Sequence, residues 1–278
     1  MRTLLVTPML ILAGLAGTSS AAAAPITHPT GAAAVVIRVS SDGGFVAPGA
    51  ILGRVPSFTL FGDGTVIVPG VTTQIFPGPA VAPLLRTRLS EARVQAILRR
   101  AKAAGLLAAR PVDYGDMRTI RVADATTTVV RLHAGGRSVV RRAYALGITA
   151  AGGAMPPAQA AARRALEQFV RSLPNAPGGA PYVTQALAVY VSPYGGQAAP
   201  GKDTKRWPLA ARLASTGTSR PAFRCISVRG GPARTLLTVL GRADEQTRWL
   251  APGGGARGFS LIIRPLLPDE RDCSSLAR

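Results

Sequence analysis

The chain has 278 residues, and 33 basic against 13 acidic side chains give it a formal net charge of +20. Aromatic residues make up only 5% and do not alternate with the basic residues, which argues against the stacking platforms of nucleic-acid-binding proteins. We therefore expect no specific nucleic-acid partner. The charge instead favours attraction to anionic polymers of a cell envelope.

The amino-terminal residues have the pattern of a secretory signal peptide. Arg2 precedes a mostly apolar run over residues 4–17, and small residues follow this run. The run of about 14 residues is shorter than a membrane-spanning helix. We predict that residues 1–23 are a signal peptide cleaved after Ala23. The mature chain is then expected to be secreted or associated with the cell wall, without a transmembrane segment.

The next part of the chain predicts an α+β domain over residues 24–175. Residues 24–33 predict a loose leader, and residues 34–40 predict a β-strand. A hairpin is predicted at 56–68, because two runs of strand-forming residues flank the sequence GDG. Asp63 is interpreted as a turn residue, since the residues after it lack the alternating oxygen ligands of a metal-binding loop.

Helix and hairpin patterns alternate in the rest of this domain. Apolar residues recur at helical spacing over residues 89–107, where Ser90 and Gly105 suit the two helix ends. A second hairpin is predicted at 125–145 around a Gly-Gly turn, and a second helix at 156–173. This order is typical of an α+β fold, with mainly antiparallel sheets built from hairpins and amphipathic helices packed on one face.

A linker and a smaller domain are predicted after this helix. Residues 176–184 belong to a region rich in proline and glycine and predict a linker. Residues 185–278 predict a smaller α+β domain. Cys225 and Cys273 are the only cysteines, and an isolated pair in an exported chain predicts a disulfide bond. The predicted elements of this domain are strands at 186–191, 224–228 and 259–263 and a short helix at 232–242.

The sequence GGGARG at 253–258 has the spacing of a dinucleotide-binding loop. A strand pattern follows it, whereas a pyrophosphate site needs the start of a helix at this point. We interpret the segment as a hairpin turn and predict no cofactor and no metal ion for the protein.

The only local cluster of carboxylates comprises Asp113, Asp116 and Asp124, and His133 lies nearby in the sequence. If these side chains converge, they provide a general acid and base for an exported hydrolase. The other interpretation is that Asp116 and Asp124 lie in turns or pair with arginines, and that His133 is a half-exposed hairpin residue. Because no nucleophile motif accompanies them, we favour a protein that is not an enzyme.

The segment RPLLPDE at 264–270 combines two prolines with two leucines and two carboxylates. Prolines restrict the backbone to extended conformations. In one interpretation Arg264, Asp269 and Glu270 form a rigid recognition edge for a partner. In the other, the segment is a strand exit packed over the core and held by the disulfide bond.

Four segments of the chain form a recognisable combination: Gly43-Gly44-Phe45, PSFTLFGDG at 56–64, Tyr144-Ala145-Leu146 and RPLLPDE at 264–270. Together they resemble a group of uncharacterised exported proteins of high-GC Gram-positive bacteria, and the resemblance covers most of the mature chain. It implies export and an α+β architecture, and it provides no activity and no catalytic residue. Our leading hypothesis is therefore an exported, non-enzymatic binding or structural protein of the cell envelope.

Overall fold

The computed structural model has an α+β fold with two mainly antiparallel sheets, which confirms the predicted fold class. The predicted signal peptide lies outside the residues that the structure describes. None of the helices in the described part of the chain is long and apolar enough to cross a membrane. The described residues are 24–47, 49–72, 75–110, 112–115, 122–148, 155–176, 178–195, 204–211, 213, 218–220, 223–252 and 257–276.

The first sheet contains seven strands, each of which pairs antiparallel with its neighbours. Both predicted hairpins are confirmed: the second strand pairs with the third, and the fifth pairs with the sixth. The strands are β1 (Val35–Gly43), β2 (Phe58–Phe61), β3 (Thr65–Pro69), β4 (Leu84–Arg88), β5 (Thr126–Ala134), β6 (Arg137–Tyr144) and β7 (Ala180–Pro181). Their spatial order is β6-β5-β1-β2-β3-β4-β7.

Asp63 shapes the turn between β2 and β3, as predicted. Its Oδ1 accepts a hydrogen bond from the Thr65 amide at 2.9 Å, and its Oδ2 accepts one from the Thr65 hydroxyl at 3.0 Å. Gly64 has a φ of +84°, and a Cβ atom there would lie 2.4 Å from the carbonyl oxygen of Leu89. Glycine is therefore required at position 64 for both conformation and space.

The two predicted helices of the first domain are present and cover one face of the first sheet. The helices of the chain are α1 (Ala50–Gly53), α2 (Glu91–Ala103), α3 (Pro157–Arg171) and α4 (Gly230–Leu240). Ser90 occupies the N-cap position of α2, although its side chain makes no capping hydrogen bond. The core under α2 and α3 includes Leu98, Leu166 and Phe169 from the helices and Ile37, Leu60 and Leu132 from the strands.

A buried arginine fastens α3 to the end of β6. Arg163 is only 7% exposed, and its guanidinium donates hydrogen bonds to the carbonyl oxygens of Tyr114, Tyr144 and Ala145 at 2.6, 2.9 and 2.7 Å. Burial lowers the pKa of Arg163, and the charge of Glu167 acts in the opposite direction. Residue polarity alone would favour Ala161 over Arg163 on the packed face of this helix, but Ala161 is exposed and Arg163 is buried.

The residues before β1 are bound to α2, so the prediction of a loose leader is wrong. The Ile26 amide donates to Gln95 Oε1 at 2.8 Å, and Gln95 Nε2 donates back to the Ile26 carbonyl at 2.9 Å. The Gly135 amide also donates to the carbonyl of Thr27 at 2.7 Å. One buried amide side chain thus satisfies both backbone groups of Ile26.

The second sheet contains six strands, and α4 packs on one of its faces. The three strands and the helix predicted in this region are confirmed. The strands are β8 (Ala186–Pro193), β9 (Thr204–Arg206), β10 (Thr218–Arg220), β11 (Phe223–Arg229), β12 (Arg248–Leu250) and β13 (Gly258–Pro265). Their order is β10-β11-β8-β13-β12-β9, and only the β12–β9 pair is parallel among these described strands.

The segment predicted as a linker contacts both sheets. β7 pairs with β4 of the first sheet, and the buried Thr184 hydroxyl donates to the carbonyl of Leu266, which follows β13, at 2.9 Å. Residues 253–256 of the GGGARG sequence lie outside the described residues. A strand and not a helix follows them, because β13 begins at Gly258 and pairs antiparallel with β12. The division into two domains stays a prediction.

The Arg163-Arg164 pair offers a matched test of the buried contact. We expect Arg163→Met to lower the free energy of unfolding by about 3 kcal/mol, because three buried carbonyl groups lose their hydrogen-bond donor. Arg164 is exposed on the same helix, and we expect Arg164→Met to change the free energy of unfolding by less than about 0.5 kcal/mol. Urea unfolding of the two variants measures the difference, and equal losses would contradict this role of Arg163.

Candidate functional site

A polar cleft of about 1150 Å³ lies between the first sheet and the residues that follow β13. Ile37 and Leu132 point into the core under the helices. Because side chains alternate along a strand, their neighbours Arg38 and Arg131 lie on the opposite face of the sheet, where the cleft is. The cleft lining includes Arg38, Arg54, Arg131, His133, Asp269 and Glu270.

A buried ion pair closes one side of the cleft. Arg264 Nη1 and Nη2 donate to Glu270 Oε2 and Oε1 at 2.7 and 2.8 Å, and the two residues are 6% and 8% exposed. The Leu267 amide also donates to Glu270 Oε2 at 2.9 Å, and Arg264 Nε donates to the carbonyl of Arg54 at 2.8 Å. This two-point contact fixes the direction of both side chains.

Arg38 connects the first sheet to the same segment. Its Nη2 donates to Asp269 Oδ1 at 2.6 Å, its Nη1 lies 3.7 Å from Glu270 Oε1, and its Nε donates to Thr59 Oγ1 at 3.4 Å. Arg38, Arg264, Asp269 and Glu270 therefore form one group, which we call the ionic network. Its two positive and two negative charges balance.

The environment of Glu270 favours its ionised form. Burial by itself raises the pKa of this carboxyl. The hydrogen bonds and charge of Arg264, the amide of Leu267 and the charge of Arg38 outweigh burial, so the pKa of Glu270 lies below its ordinary value. Glu270 is therefore a structural anion in this network.

The paired leucines of RPLLPDE pack against different sheets. Leu266 packs with Tyr190 and Cys225 on the second sheet, and Leu267 packs with Phe61 and Ile67 on the first. Both leucines are buried, so the segment joins the two sheets through apolar contacts as well as ion pairs.

The three residues of the predicted recognition edge have different surroundings. Arg264 and Glu270 bind each other in the interior, while Asp269 keeps 22% of its side-chain area exposed and binds Arg38. Asp269 is thus the member of the three with the most access to the cleft. That this segment recognises a protein partner stays a prediction.

The predicted disulfide bond is confirmed between Cys225 of β11 and Cys273, with a Cα–Cα distance of 6.0 Å. The amide of Cys273 also donates to Ser227 Oγ at 3.0 Å. These contacts hold the chain just after Glu270 against the second sheet. They fix the carboxyl-terminal wall of the cleft.

The structure does not bring together the candidate catalytic residues that it describes. Asp113 accepts hydrogen bonds from Gln159 of α3 at 2.7 Å and from the Gly115 amide at 2.8 Å, on the helix side of the first sheet. His133 lines the cleft on the other side. Asp124 lies in the turn before β5, and the strand from Thr126 to His133 alone is about 24 Å long.

Asp116 lies outside the described residues. The described residues contain no group of three or more His, Cys, Asp or Glu side chains arranged to bind a metal ion. The physical reason for the separation of Asp113 and His133 is the sheet between them. The face on which each of these two residues lies depends on strand alternation and strand order. It does not depend on how close the residues are in sequence.

Arg131 is the cleft residue that the sequence analysis missed. It lies directly opposite Arg38 across the β1–β5 pair, and like charges at such positions repel. Arg38 is bound to Asp269, whereas the half-buried side chain of Arg131 makes no hydrogen bond or ion pair with any described residue. The sequence could have indicated this residue, because Arg131 and His133 are two positions apart on β5 and therefore share one face of the sheet. The pairing of Arg131 with Arg38 is visible only in the folded chain.

Comparisons with protein-family models, with curated proteins and with solved structures found no match for this chain. The resemblance to exported proteins of high-GC Gram-positive bacteria therefore stays a prediction. Function is argued below from the geometry and charge of the site.

The ionic network makes stability depend on pH. A carboxyl whose pKa is lowered on folding stabilises the fold above its ordinary pKa, here 4.5, and this contribution disappears as the pH falls through the lowered value. We expect Glu270→Gln to cost about 3 kcal/mol of unfolding free energy at pH 7, because the substitution leaves Arg264 buried without its anion. The difference from wild type should shrink as the pH falls below 4.5.

Urea unfolding between pH 7 and pH 3 measures this dependence. Glu167→Gln serves as the control, since Glu167 forms a surface pair with Arg171 at 2.7 Å and should contribute less than about 1 kcal/mol. A constant difference between Glu270→Gln and wild type at every pH would contradict the assigned role of the carboxylate.

Proposed function

We propose that this protein is an exported, non-enzymatic protein of the cell envelope that binds anionic envelope polymers in the polar cleft. The observation that carries the proposal is the half-buried Arg131, which faces the cleft beside Arg38 without a partner among the described residues. A bound anion would relieve the repulsion between the two guanidinium groups. It would also supply the acceptor atoms that Arg131 lacks.

The charges of the cleft favour an anionic ligand. The ionic network is neutral as a unit, and Asp42 at the rim is bound to Arg142 at 2.9 Å. Asp272 also lines the cleft, and its carboxylate accepts hydrogen bonds from the amides of Ser274 and Ser275. Arg131 and Arg271 line the cleft without acidic partners among the described residues, and Arg54 binds the Gly43 carbonyl at 2.6 Å, so these arginines outnumber the one additional carboxylate. Guanidinium groups bind phosphate and carboxylate oxygens in pairs.

The size and polarity of the cleft favour part of a polymer over a small molecule. Its volume of about 1150 Å³ exceeds the ~300–1,000 Å³ that is usual for small-ligand pockets. The hydroxyl groups of Ser40, Ser57, Ser274 and Ser275 also line it. Those of Ser57, Ser274 and Ser275 donate to Val39 and Asp272, so their oxygen atoms are left as acceptors for hydroxyl or amine groups of a ligand.

Two further observations support the export and binding parts of the proposal. Disulfide bonds persist in oxidising compartments, and Cys225 and Cys273 form one. Binding is favoured over hydrolysis because Asp113 and Asp124 are remote from His133, while Asp116, the other carboxylate of the hydrolase hypothesis, lies outside the described residues. The formal charge of +20 adds a long-range attraction to anionic surfaces.

Sedimentation with isolated Gram-positive cell walls tests the proposal. We expect the mature chain, residues 24–278, to bind the walls at low salt and to release as the salt concentration rises. Arg131→Gln should weaken binding about tenfold, because it removes a charged hydrogen-bond donor. The same variant should keep or raise the melting temperature, because the repulsion of Arg38 is removed.

Arg234→Gln is the charge-matched control, since Arg234 is exposed on α4 and does not line the cleft. It should weaken binding about twofold at most, through net charge alone. Equal weakening by Arg131→Gln and Arg234→Gln would reject the cleft as the binding site. Undiminished binding to walls stripped of their anionic polymers would reject the ligand class.

A further inference from the structure

A second concave surface lies on the helix side of the first sheet, remote from the cleft. It is a groove of about 600 Å³ between α2 and the residues that follow α3. Its lining includes the apolar side chains of Leu89, Ala96, Ile97, Ala103 and Pro174. Leu89 and Ile97 also belong to the core under the helices, so the floor of the groove is fixed by packing.

Three arginines line the rim of this groove. Arg93, Arg99 and Arg100 are exposed on α2, and none of their guanidinium groups makes a hydrogen bond or ion pair with a described residue. Among the described residues, no acidic side chain lines the groove. The only acidic residue of α2, Glu91, is engaged by His28 and Gln95 instead.

The periodicity of α2 places charge and apolar surface side by side. Arg93, Ala96, Arg100 and Ala103 recur at i, i+3, i+7 and i+10, so they share one face of the helix. Small alanine side chains between the arginines leave the apolar floor open. The arrangement therefore offers a cationic rim and an apolar trough within one helix length.

We propose that this groove binds a single-chain anionic amphiphile, a hydrocarbon tail that ends in a phosphate group. The tail lies along Ala96, Ile97 and Ala103, and the phosphate is bound by Arg93 and Arg100 at the rim. Apolar contact and charge both contribute, because a hydrocarbon tail gains affinity on leaving water and guanidinium groups bind phosphate oxygens in pairs. This site is independent of polymer binding in the cleft.

The shape of the surface favours one bound molecule over docking to a lipid bilayer. The groove is concave, and its volume lies within the usual range for small-ligand pockets. Insertion into a bilayer requires protruding apolar side chains. The most exposed large apolar residues of the described chain are Phe45, Val71, Ile75 and Phe76, and none of them lines the groove.

Calorimetric titration of the mature chain with dodecyl phosphate below its micelle concentration tests the proposal. We expect one bound molecule per chain. Octyl phosphate should bind more weakly by up to about fourfold per missing methylene group, because each methylene transferred from water contributes separately. Dodecyl maltoside, which has the same tail and a neutral head, and inorganic phosphate, which has no tail, should each bind at least about tenfold more weakly than dodecyl phosphate.

Two groove variants and one control variant complete the test. Arg93→Gln/Arg100→Gln should weaken dodecyl phosphate binding about tenfold or more, through loss of the charged donors. Ala96→Trp should block the tail and leave the weak binding of inorganic phosphate unchanged. Arg234→Gln/Arg242→Gln, on the exposed surface at α4, removes the same charge and should leave binding within about twofold of wild type. Circular dichroism and melting temperature verify that each variant is folded.

Four outcomes would overturn the proposal. Equal weakening by the α4 control variant would mean that only net charge attracts the amphiphile. Equal affinity for dodecyl maltoside or for inorganic phosphate would mean that one half of the ligand suffices. Binding only above the micelle concentration or only to anionic vesicles would indicate docking to a lipid surface. If Ala96→Trp left the affinity for dodecyl phosphate unchanged, the ligand would bind outside this groove.

Discussion

The structure depends on the short segment after β13, which is bound to both sheets at once. Leu266 packs on the second sheet and Leu267 on the first, while Glu270 binds Arg264 and Asp269 binds Arg38. Desolvating these charges is costly, and the cost is offset because the donors and acceptors are matched in position. The segment thus sets how the first sheet lies against the chain end, and the cleft exists because of that arrangement.

Some of the many arginines are buried and hold the fold together, whereas others are exposed and can bind a ligand. In each of two sequence pairs one arginine is buried and its neighbour is exposed, as Arg141 with Arg142 and Arg163 with Arg164 show. Arg141 donates to the carbonyls of Leu106 and Ala108, just as Arg163 donates to the carbonyls of Tyr114, Tyr144 and Ala145. The net charge alone therefore overstates the number of guanidinium groups available to a ligand. Among the described residues, the guanidinium groups without a partner include Arg131 in the cleft and Arg93, Arg99 and Arg100 on α2.

Local sequence patterns were sufficient for much of the fold. Turn glycines with alternating apolar residues predicted both hairpins, helical periodicity predicted α2 and α3, and two isolated cysteines predicted the disulfide bond. These features depend on residues close in sequence or on a single pairing. The predicted loose leader failed because its partner, Gln95, lies 69 residues away from Ile26.

The candidate site was less accessible to sequence reasoning. The proximity of Asp113 and His133 in sequence suggested a shared pocket, but a sheet separates them. The opposition of Arg38 and Arg131 depends on strand register, and the contact of Arg38 with Asp269 spans 231 residues. Register and strand order follow from the packing of the whole chain, so no local pattern contains them.

The disulfide bond has a consequence for when the cleft can be complete. Cys273 follows Glu270 by three residues, so the bond anchors the far end of the segment whose near end is β13. Before oxidation, thermal motion of that tail opposes the docking of its two carboxylates. Afterwards both ends are tethered, and the entropy lost on docking is smaller. Completion of the cleft is thereby coupled to the redox state of its surroundings, because the bond between Cys225 and Cys273 persists only where thiols are oxidised.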